Sequence, residues 1–373
     1  MRKRTALGGA LLALMAAGCA TAVPEPVDAP RPAEPEARRA EPAREAPLRV
    51  GVVVSTTGSP VLQRYAELVL EGARLGADQQ SNARRAVLLE VRDDGGTAAG
   101  AARAVRELEQ AGVRAIIGPL VEDAVAAAAA ARGSDNTVII SPTAVAEPAG
   151  ARNVFALNIV DTRGAAALGE YARQFSRVGV LYARTPEGTR QARAFMDAYG
   201  RDGHGTLRDA GFDPGATNVS APLGRLRDAR VQAIFFPASE RELQIVLPQV
   251  EFFGLADTQL MGTEIWLSDA ARGVPERVLE GAVIATALWR ESPDLAWRDF
   301  VGAYENAHRR SLENPVPALG YDAAILAVHA LTTGGGAIRD FRGATGIISL
   351  SADGTSRRPF LVRIEAGRLI PVR

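Results

Sequence analysis

The strongest constraint on the fold of this 373-residue chain is a regular alternation of short apolar runs with longer amphipathic segments. Residues 48–55 form a continuous apolar run ending in small polar residues, and residues 60–80 follow with apolar side chains at helical spacing. Continuous apolar runs are typical of strands buried on both faces, and strands joined by helices pair in parallel. The pattern therefore predicts an α/β fold with a parallel sheet. The units that follow are 87–91 with 98–110, 115–120 with 122–132, and strands at 138–142 and 153–158.

The alternation begins again after residue 158, which predicts a second sheet and hence a second α/β lobe. The dipeptides Asp353-Gly354 and Ala366-Gly367 favour hairpin turns, so residues 346–372 are predicted to form a C-terminal β-meander. Predicted helices are 162–175, 187–199, 239–253, 295–310 and 321–331, and predicted strands are 178–182, 205–207, 231–237, 259–263 and 281–288.

The amino terminus carries a short positive segment followed by a short apolar one. Residues 2–4 are basic, and residues 5–17 are uncharged but shorter than the ~20 residues that span a bilayer. The end of this stretch, up to Gly18-Cys19, resembles a bacterial lipobox, with Ala16 where the pattern prefers Leu. The resemblance implies that residues 1–18 are a lipoprotein signal peptide and that Cys19 is lipidated. The alternative is an ordinary signal peptide that contains a cysteine.

Residues 19–47 differ in composition from the rest of the chain. They are rich in Pro, Ala, Glu and Arg and contain no aromatic residue, so they cannot bury enough apolar surface to fold. We expect a disordered tether between the lipid anchor and a folded body. In the resembling lipoproteins of enteric bacteria, an aspartate directly after the lipidated cysteine retains the protein at the inner membrane. This chain has Ala20 at that position. The predicted location is therefore the periplasm, with anchoring through Cys19 to the outer rather than the inner membrane.

The composition excludes several classes of chemistry. Lys3 is the only lysine and Cys19 the only cysteine, so the mature chain has no lysine for a phosphate loop or a Schiff base. One thiol forms no internal disulfide and no multi-cysteine zinc site. The 43 basic residues equal the 43 acidic ones, which argues against a nucleic-acid partner. We predict no cofactor, no metal and no enzymatic activity.

Six segments match one known family in order along the chain: residues 50–58, 72–73, 113–120, 138–142, 262–264 and 321–323. With them the chain resembles type I periplasmic solute-binding proteins, the class of the leucine/isoleucine/valine-binding protein. The resemblance implies two Rossmann-like lobes with parallel sheets, a central cleft and hinge strands. The expected lobe 1 comprises residues 48–158 and 289–337, and the expected lobe 2 comprises residues 159–288 and 338–373.

The candidate ligand-binding residues of lobe 1 follow its predicted strands, because ligands bind beyond the carboxyl ends of strands in open α/β sheets. In the resembling amino-acid binders a threonine hydroxyl contacts the ligand after the fourth strand, where this chain has Val145. Two roles other than ligand binding remain open for these residues. The residues after the first strand can cap the helix that begins at Pro60, and Glu122 and Asp123 can stabilise the start of their own helix. The lobe 1 candidates are Ser55, Thr57, Gly58, Glu122, Ser141 and Thr143.

In lobe 2 the resemblance implies that Glu264 meets a ligand ammonium group, because a carboxylate follows the equivalent Gly in amino-acid binders. Trp266 can form a flat apolar wall of the cleft or pack in the core. Tyr321, in the later part of the expected lobe 1, begins with Asp322 a predicted helix from which it can reach the cleft mouth, although Asp322 can equally be an N-terminal helix acid. The other candidates are Arg184, Glu187 and Ser239.

These residues predict a non-catalytic lipoprotein that captures a small polar, amino-acid-like solute for an ABC permease. Further segments resemble lipoproteins called penicillin-binding protein activators: residues 92–96, 251–254, 279–283, 344–349 and 353–354. They leave open a regulator of peptidoglycan synthesis that acts by docking to a penicillin-binding protein. A hydrolase using Glu122 and Asp123 is disfavoured, because adjacent residues at one helix start rarely converge on one substrate bond.

Overall fold

The computed structural model describes residues 45–158, 162–335 and 337–372. The predicted signal peptide, the lipidation site Cys19 and most of the predicted tether lie outside these residues. The strands are β1 (Leu48–Val54), β2 (Val87–Asp93), β3 (Ala115–Ile117), β4 (Val138–Ser141), β5 (Val154–Ala156), β6 (Arg177–Ala183), β7 (Thr206–Phe212), β8 (Ala233–Phe236), β9 (Gln259–Thr263), β10 (Val283–Thr286), β11 (Ile338–Gly343), β12 (Gly346–Ser351), β13 (Gly354–Arg357), β14 (Phe360–Glu365) and β15 (Arg368–Pro371). The α-helices are α1 (Pro60–Gln80), α2 (Ala98–Gln110), α3 (Glu122–Ala131), α4 (Thr162–Ala172), α5 (Pro186–Tyr199), α6 (Ser220–Asp228), α7 (Glu240–Phe252), α8 (Glu276–Leu279), α9 (Leu295–His308) and α10 (Val316–Thr333).

The first sheet has the strand order β2-β1-β3-β4-β5, and all of its pairs are parallel. Strands β1, β3, β4 and β5 are largely buried on both faces, as continuous apolar runs predict, whereas the edge strand β2 is only partly buried. Val52 packs with α1 and α10 on one face, whereas its neighbour Val53 packs with α2 and α3 on the other. We call this sheet and the helices packed on it lobe 1.

Two glycines allow α1 and α10 to pack closely in lobe 1. A Cβ atom on Gly72 would lie 1.7 Å from the carbonyl oxygen of Pro317, and one on Gly320 would lie 2.2 Å from that of Val69. By its length and composition alone, helix α10 could cross a membrane. However, 67% of its 18 residues are buried inside the fold. Its apolar character is therefore that of a core helix.

The second sheet has the order β15-β14-β10-β9-β8-β6-β7. Strands β6 to β10 pair in parallel, whereas β14 and β15 extend the sheet in antiparallel pairs. Phe236 packs with α6 and α7 on one face, and Phe235 packs with α4 and α5 on the other. We call this sheet and its helices lobe 2. The predicted architecture of two α/β lobes with parallel sheets is confirmed.

The C-terminal strands differ from the predicted meander. Strands β11, β12 and β13 form a separate antiparallel sheet, and only β14 and β15 join lobe 2. Ile338, Ile348 and Leu350 of the separate sheet are buried in the core formed by α1 and α10. These contacts place residues 338–357 with lobe 1, whereas the sequence predicted lobe 2, because their apolar face is covered by the lobe 1 helices.

Two helices differ from their predictions. Helix α6 was not predicted, because Pro222 and Gly224 lie within it, yet Pro222 falls in the first turn, where proline is tolerated. Helix α10 begins at Val316 rather than at Tyr321, because Pro317 also lies in a first turn and does not interrupt the helix. Tyr321 therefore lies inside a helix and not at its amino end.

Candidate functional site

A cavity of about 690 Å³ lies between the two lobes, at the carboxyl edge of the second sheet. Lobe 1 contributes Val145, Ala146 and Asn158 to its wall. Lobe 2 contributes a larger and more polar part: Thr162, Glu187, Arg190, Gln191, Ala238, Ser239, Glu240, Thr263, Glu264, Ile265 and Ser268. Of the twelve residues that the sequence predicted for ligand binding, the structure brings three into this cavity: Glu187, Ser239 and Glu264.

Glu264 follows β9 and begins a short 3₁₀ helix, Glu264–Leu267. Burial raises the pKa of its carboxyl group, while the positive charge of Arg357, the Ala287 N–H and the Thr286 hydroxyl lower it; burial has the larger effect. A carboxylate held in this way lies partly desolvated on the wall of a cavity. Glu264 would therefore attract a positively charged group in the cavity more strongly than an exposed carboxylate would.

Glu187 lies in the first turn of α5 and has two partners on the same helix. Its carboxylate accepts a hydrogen bond from Nη2 of Arg190 and one of 2.7 Å from Nε2 of Gln191. The spacings i+3 and i+4 place the three side chains on one face of α5. Arg190 and Gln191 were not among the residues predicted from the sequence, although their spacing from Glu187 places them on the same helical face.

Ser239 is the N-cap of α7 and forms a capping box with Glu242. Its hydroxyl oxygen accepts a hydrogen bond from the Glu242 N–H, and the Glu242 carboxylate accepts one of 2.8 Å from the Ser239 N–H. Because the hydroxyl oxygen serves as the acceptor, its proton remains able to donate toward the cavity. Ser239 thus has a structural role in addition to its place on the wall.

Trp266 does not line the cavity. Its side chain is 1% exposed, and its indole N–H donates a 3.2 Å hydrogen bond to the carbonyl oxygen of Phe236. The ring fills the space beside Gly262, where a Cβ atom would lie 2.3 Å from it. The structure therefore corrects the expectation of a cleft wall and supports core packing, the alternative reading.

Arg184 and Tyr321 also lie away from the cavity wall. Arg184 is exposed and donates a 3.2 Å hydrogen bond to Asp213. Tyr321 packs against Phe300, and its hydroxyl donates to Gln79 on α1. Both side chains are satisfied by contacts within their own lobe.

The loop after β1 is tied to the loop after β2. Ser55 is buried and donates a 2.6 Å hydrogen bond to Asp94, and Thr57 donates to Asp93 through both its N–H and its hydroxyl. Although burial raises the pKa of Asp93, the hydrogen bonds it accepts outweigh this and lower it to about 2. Gly58 has a φ of 106°, and a Cβ atom there would lie 2.9 Å from the Gly95 carbonyl oxygen. None of these lobe 1 residues lines the cavity.

The hydroxyl groups after β4 are also held inside lobe 1. Ser141 donates a 2.6 Å hydrogen bond to the carbonyl oxygen of Pro119, and Thr143 donates one of 2.7 Å to that of Leu120. The Glu122 carboxylate accepts a 3.0 Å hydrogen bond from the Val145 N–H. Lobe 1 consequently presents to the cavity the apolar side chain of Val145, which is 41% exposed, rather than the predicted hydroxyl groups.

Arg357, which was not among the predicted site residues, is buried where the chain passes between the lobes. Its guanidinium donates to three carbonyl oxygens: Leu157 after β5 at 2.7 Å, Ala287 after β10 at 2.6 Å, and Thr345 between β11 and β12. Leu157 and Ala287 belong to the first and second connections between the lobes, and Arg357 itself ends the strand that precedes the third. One side chain therefore joins all three connections.

Two acidic residues face Arg357. Burial lowers the pKa of Arg357 to about 10, although the charges of Asp322 and Glu264 raise it. Asp322 is fully buried and accepts hydrogen bonds of 2.8 Å from the N–H groups of Ala344 and Thr345. It is therefore a structural anchor inside α10 and not the N-terminal helix acid that the sequence allowed. Through Glu264, this buried cluster lies next to the wall of the cavity.

A metal centre has no support in the part of the chain that the structure describes. No group of three or more His, Cys, Asp and Glu side chains is placed there to hold a metal ion. Of the carboxylates of the cavity, Glu187 pairs with Arg190 and Gln191, and Glu264 accepts from the Ala287 N–H.

A family model described as periplasmic binding protein matches residues 47–348, which is more than half of the chain. The chain belongs to this family. The predicted resemblance to type I periplasmic solute-binding proteins is thereby confirmed at the level of the family and of the fold. No curated protein sequence matches this periplasmic binding protein.

Solved structures with the same two-lobed fold match nearly the whole folded body. A provisionally assigned branched-chain amino acid ABC transporter protein from Rhodospirillum rubrum has a TM-score of 0.74 and 22% identity, covering 87% of this chain and 100% of the other. A branched-chain amino acid transporter substrate binding protein from Streptococcus pneumoniae, in complex with isoleucine, has a TM-score of 0.58 and 21% identity, with coverages of 87% and 97%. A solute binding protein from Rhodopseudomonas palustris, in complex with benzoate, has a TM-score of 0.55 and 15% identity, with coverages of 87% and 95%. At these identities the likeness shows the fold alone.

Proposed function

We propose that this periplasmic binding protein captures a small polar solute with an ammonium group in the cavity between its lobes and delivers it to an ABC permease. The observation that carries the proposal is Glu264, a partly desolvated carboxylate on the wall of a 690 Å³ cavity. The amino-acid-like solute expected from the sequence shares this ammonium group. Solved structures of the same fold, in complex with isoleucine and with benzoate, support a small-molecule ligand.

The proposed mechanism is closure of the two lobes around the solute. The lobes are joined by three connections, which can act together as a hinge. Closure would bring the apolar surface at Val145 toward Glu264 and remove water from both. Because water screens charges, its removal would strengthen the contact between the carboxylate and the ammonium group.

The proposal includes no chemical step. A hydrolase would need both Glu122 and Asp123, but the Glu122 carboxylate already accepts a hydrogen bond from the Val145 N–H. Neither Glu122 nor Asp123 is among the described residues of the cavity wall. A carboxylate that is fixed to the backbone outside the cavity is poorly placed for acid–base work on a bound molecule.

We further propose that the protein is lipid-anchored in the periplasm through Cys19, at the outer membrane, with residues 19–47 as the tether. The support is the family, whose members are periplasmic binding proteins, together with the lipobox resemblance of the amino terminus. The proposed partners are the solute, an ABC permease and, through the anchor, a membrane. The comparisons give no support to docking with a penicillin-binding protein.

The proposal is tested by a ligand screen on the intact protein in detergent. We expect at least one small amine or amino acid to raise the melting temperature in a concentration-dependent way, because a ligand that binds only the folded state stabilises it. The same compound should give a saturable calorimetric signal with one site per chain. If a library of amines, amino acids, carboxylates and sugars gives no such shift, the solute-binding proposal fails.

A further inference from the structure

We infer that the solute is an organic ammonium compound without a carboxylate, that is, an amine rather than an α-amino acid. The inference rests on the proposed function and narrows its ligand class. It is carried by a difference between the lobes: lobe 2 places three carboxylates on the cavity wall, while the lobe 1 hydroxyl groups predicted to bind the ligand are engaged elsewhere.

The first observation is the charge of the cavity wall. Among the described residues that line it, Glu187, Glu240 and Glu264 are acidic and Arg190 alone is basic. Arg190 already donates to Glu187, so its charge is largely compensated. A ligand carboxylate would therefore meet three carboxylates, and the two nearby cations, Arg190 and the buried Arg357, already face acidic partners. An ammonium group would instead be attracted.

The second observation is an acceptor without a partner. Gln191 is 8% exposed, and its Oε1 atom accepts no hydrogen bond from any residue that the structure describes. The 2.7 Å hydrogen bond from Nε2 of Gln191 to Glu187 fixes the orientation of the amide, so the oxygen cannot exchange places with the nitrogen. Gln191 is a residue of the cavity wall, and a buried carbonyl oxygen without a donor is matched by a ligand N–H group and not by a carboxylate.

The third observation concerns the donors that a carboxylate would need from lobe 1. The hydroxyl groups of Ser141 and Thr143 donate to carbonyl oxygens of their own lobe, and the N–H of Val145 donates to Glu122. Breaking one of these bonds would leave a buried or half-buried acceptor unsatisfied, which is unfavourable. Apart from Asn158, the surface that lobe 1 offers to the cavity is that of Val145 and Ala146, which is apolar and suits a hydrocarbon chain.

These observations together orient the ligand. The ammonium group lies against lobe 2, on the wall to which Glu187, Gln191 and Glu264 belong, and the hydrocarbon part packs against Val145 and Ala146. An α-amino acid would place its carboxylate beside its ammonium group, in the same negative field. Each such compound should therefore bind more weakly than the amine with the same side chain.

The test uses matched sets of three ligands that share a hydrocarbon part. One set is 3-methylbutylamine, leucine and 4-methylpentanoate, and a second is 2-phenylethylamine, phenylalanine and 3-phenylpropanoate. Calorimetry with the intact protein in detergent is expected to show at least tenfold tighter binding of the amine than of the amino acid, and no saturable binding of the carboxylate. Further sets with propyl and butyl chains cover smaller hydrocarbon parts.

The outcomes separate this inference from the proposed function. If an amino acid or a carboxylate binds as tightly as its matched amine, or more tightly, the inference is overturned while the solute-binding function stands. If no compound of any set or of the wider library binds, both fail. The variant Gln191→Leu gives a second measure, since it should weaken amine binding at least fivefold if the unpartnered oxygen is a ligand contact, and an unchanged affinity would remove that support.

Discussion

The guanidinium of Arg357 donates a 2.7 Å hydrogen bond to the carbonyl oxygen of Leu157, which lies 200 residues earlier in the chain. Leu157 is in lobe 1, at the start of the first connection to lobe 2, and Arg357 ends the strand that precedes the third connection. Since the same side chain also bonds the Ala287 carbonyl oxygen in the second connection, relative movement of the lobes must carry Arg357 along or break one of these bonds. The region where the two lobes connect therefore contains a buried charge.

The first prediction is that Arg357→Met destabilises the fold by about 3–5 kcal/mol, the usual cost of removing one partner from a buried charge cluster. The substitution keeps most of the side-chain volume but leaves three carbonyl oxygens without their donor and removes the charge that faces Asp322. Urea unfolding measures the change. Arg277→Met is the control, because Arg277 forms an exposed pair with Glu251 and should change stability by less than about 1 kcal/mol. If the two variants lost the same stability, Arg357 would not have the proposed role of holding the three connections between the lobes together.

The second prediction separates the two roles considered for Trp266. Trp266→Phe removes the indole N–H that donates to the Phe236 carbonyl oxygen and should cost about 1–3 kcal/mol of unfolding free energy. Ligand affinity should change less than about threefold, since the ring lies in the core and does not line the cavity. Unfolding and calorimetry on the same samples provide both values. A tenfold loss of affinity with unchanged stability would restore the cleft-wall interpretation.

Helices with strong end signals could be predicted from the sequence. Helix α1 spans residues 60–80 as predicted, because Ser59 caps it and Pro60 starts it, and α2 spans 98–110 with Thr97 as its cap. Helix α6 could not be recognised, since a proline and a glycine within nine residues obscure the apolar spacing of Leu223 and Leu226. Local signals sufficed where they agreed and failed where they conflicted.

The candidate site was only partly predictable for a different reason. The sequence places Ser141 and Thr143 at a strand end, but it does not show that the carbonyl oxygens of Pro119 and Leu120 lie within hydrogen-bond distance of them. Nothing in the sequence distinguishes Arg357 from the neighbouring Arg358, because the carbonyl partners of Arg357 are 200, 70 and 12 residues away. Tertiary pairing at such separations decides whether a polar residue serves the ligand or the fold.

The third prediction concerns the anchor. Cys19→Ser should release the protein from membranes into the soluble periplasmic fraction, because the proposed acyl chains can no longer be attached. Fractionation at high salt, followed by immunoblotting, measures this, with the unaltered protein as the reference. If the Cys19→Ser protein still sediments with membranes, the lipoprotein interpretation is wrong.

The fourth prediction concerns the charge of Glu264. Glu264→Gln keeps the shape of the side chain and should weaken binding of an ammonium ligand about 10- to 100-fold, since a charge-assisted hydrogen bond contributes about 1.5–3 kcal/mol. The control is Glu251→Gln, the same substitution on the exposed surface of lobe 2, which should leave affinity unchanged. Calorimetric titration with the strongest amine of the screen measures both variants. If Glu264→Gln lowers only the melting temperature, the residue supports the fold and does not bind the solute.

The last prediction is a pH dependence with a defined sign. Burial raises the pKa of Glu264 above the ordinary 4.5, so its carboxyl group takes up a proton at a higher pH than an exposed glutamate does. A protonated Glu264 is neutral and attracts an ammonium group weakly, so affinity should be greatest above the pKa of Glu264 and fall as the pH is lowered through it. Bound amine stabilises the ionised form, so binding near this pH should release protons, and the measured enthalpy should depend on the buffer. Glu264→Gln should remove both the pH dependence and the proton release, whereas Glu251→Gln should retain them. An affinity that stays constant down to pH 4 in the unaltered protein would show that the ligand does not depend on this carboxylate.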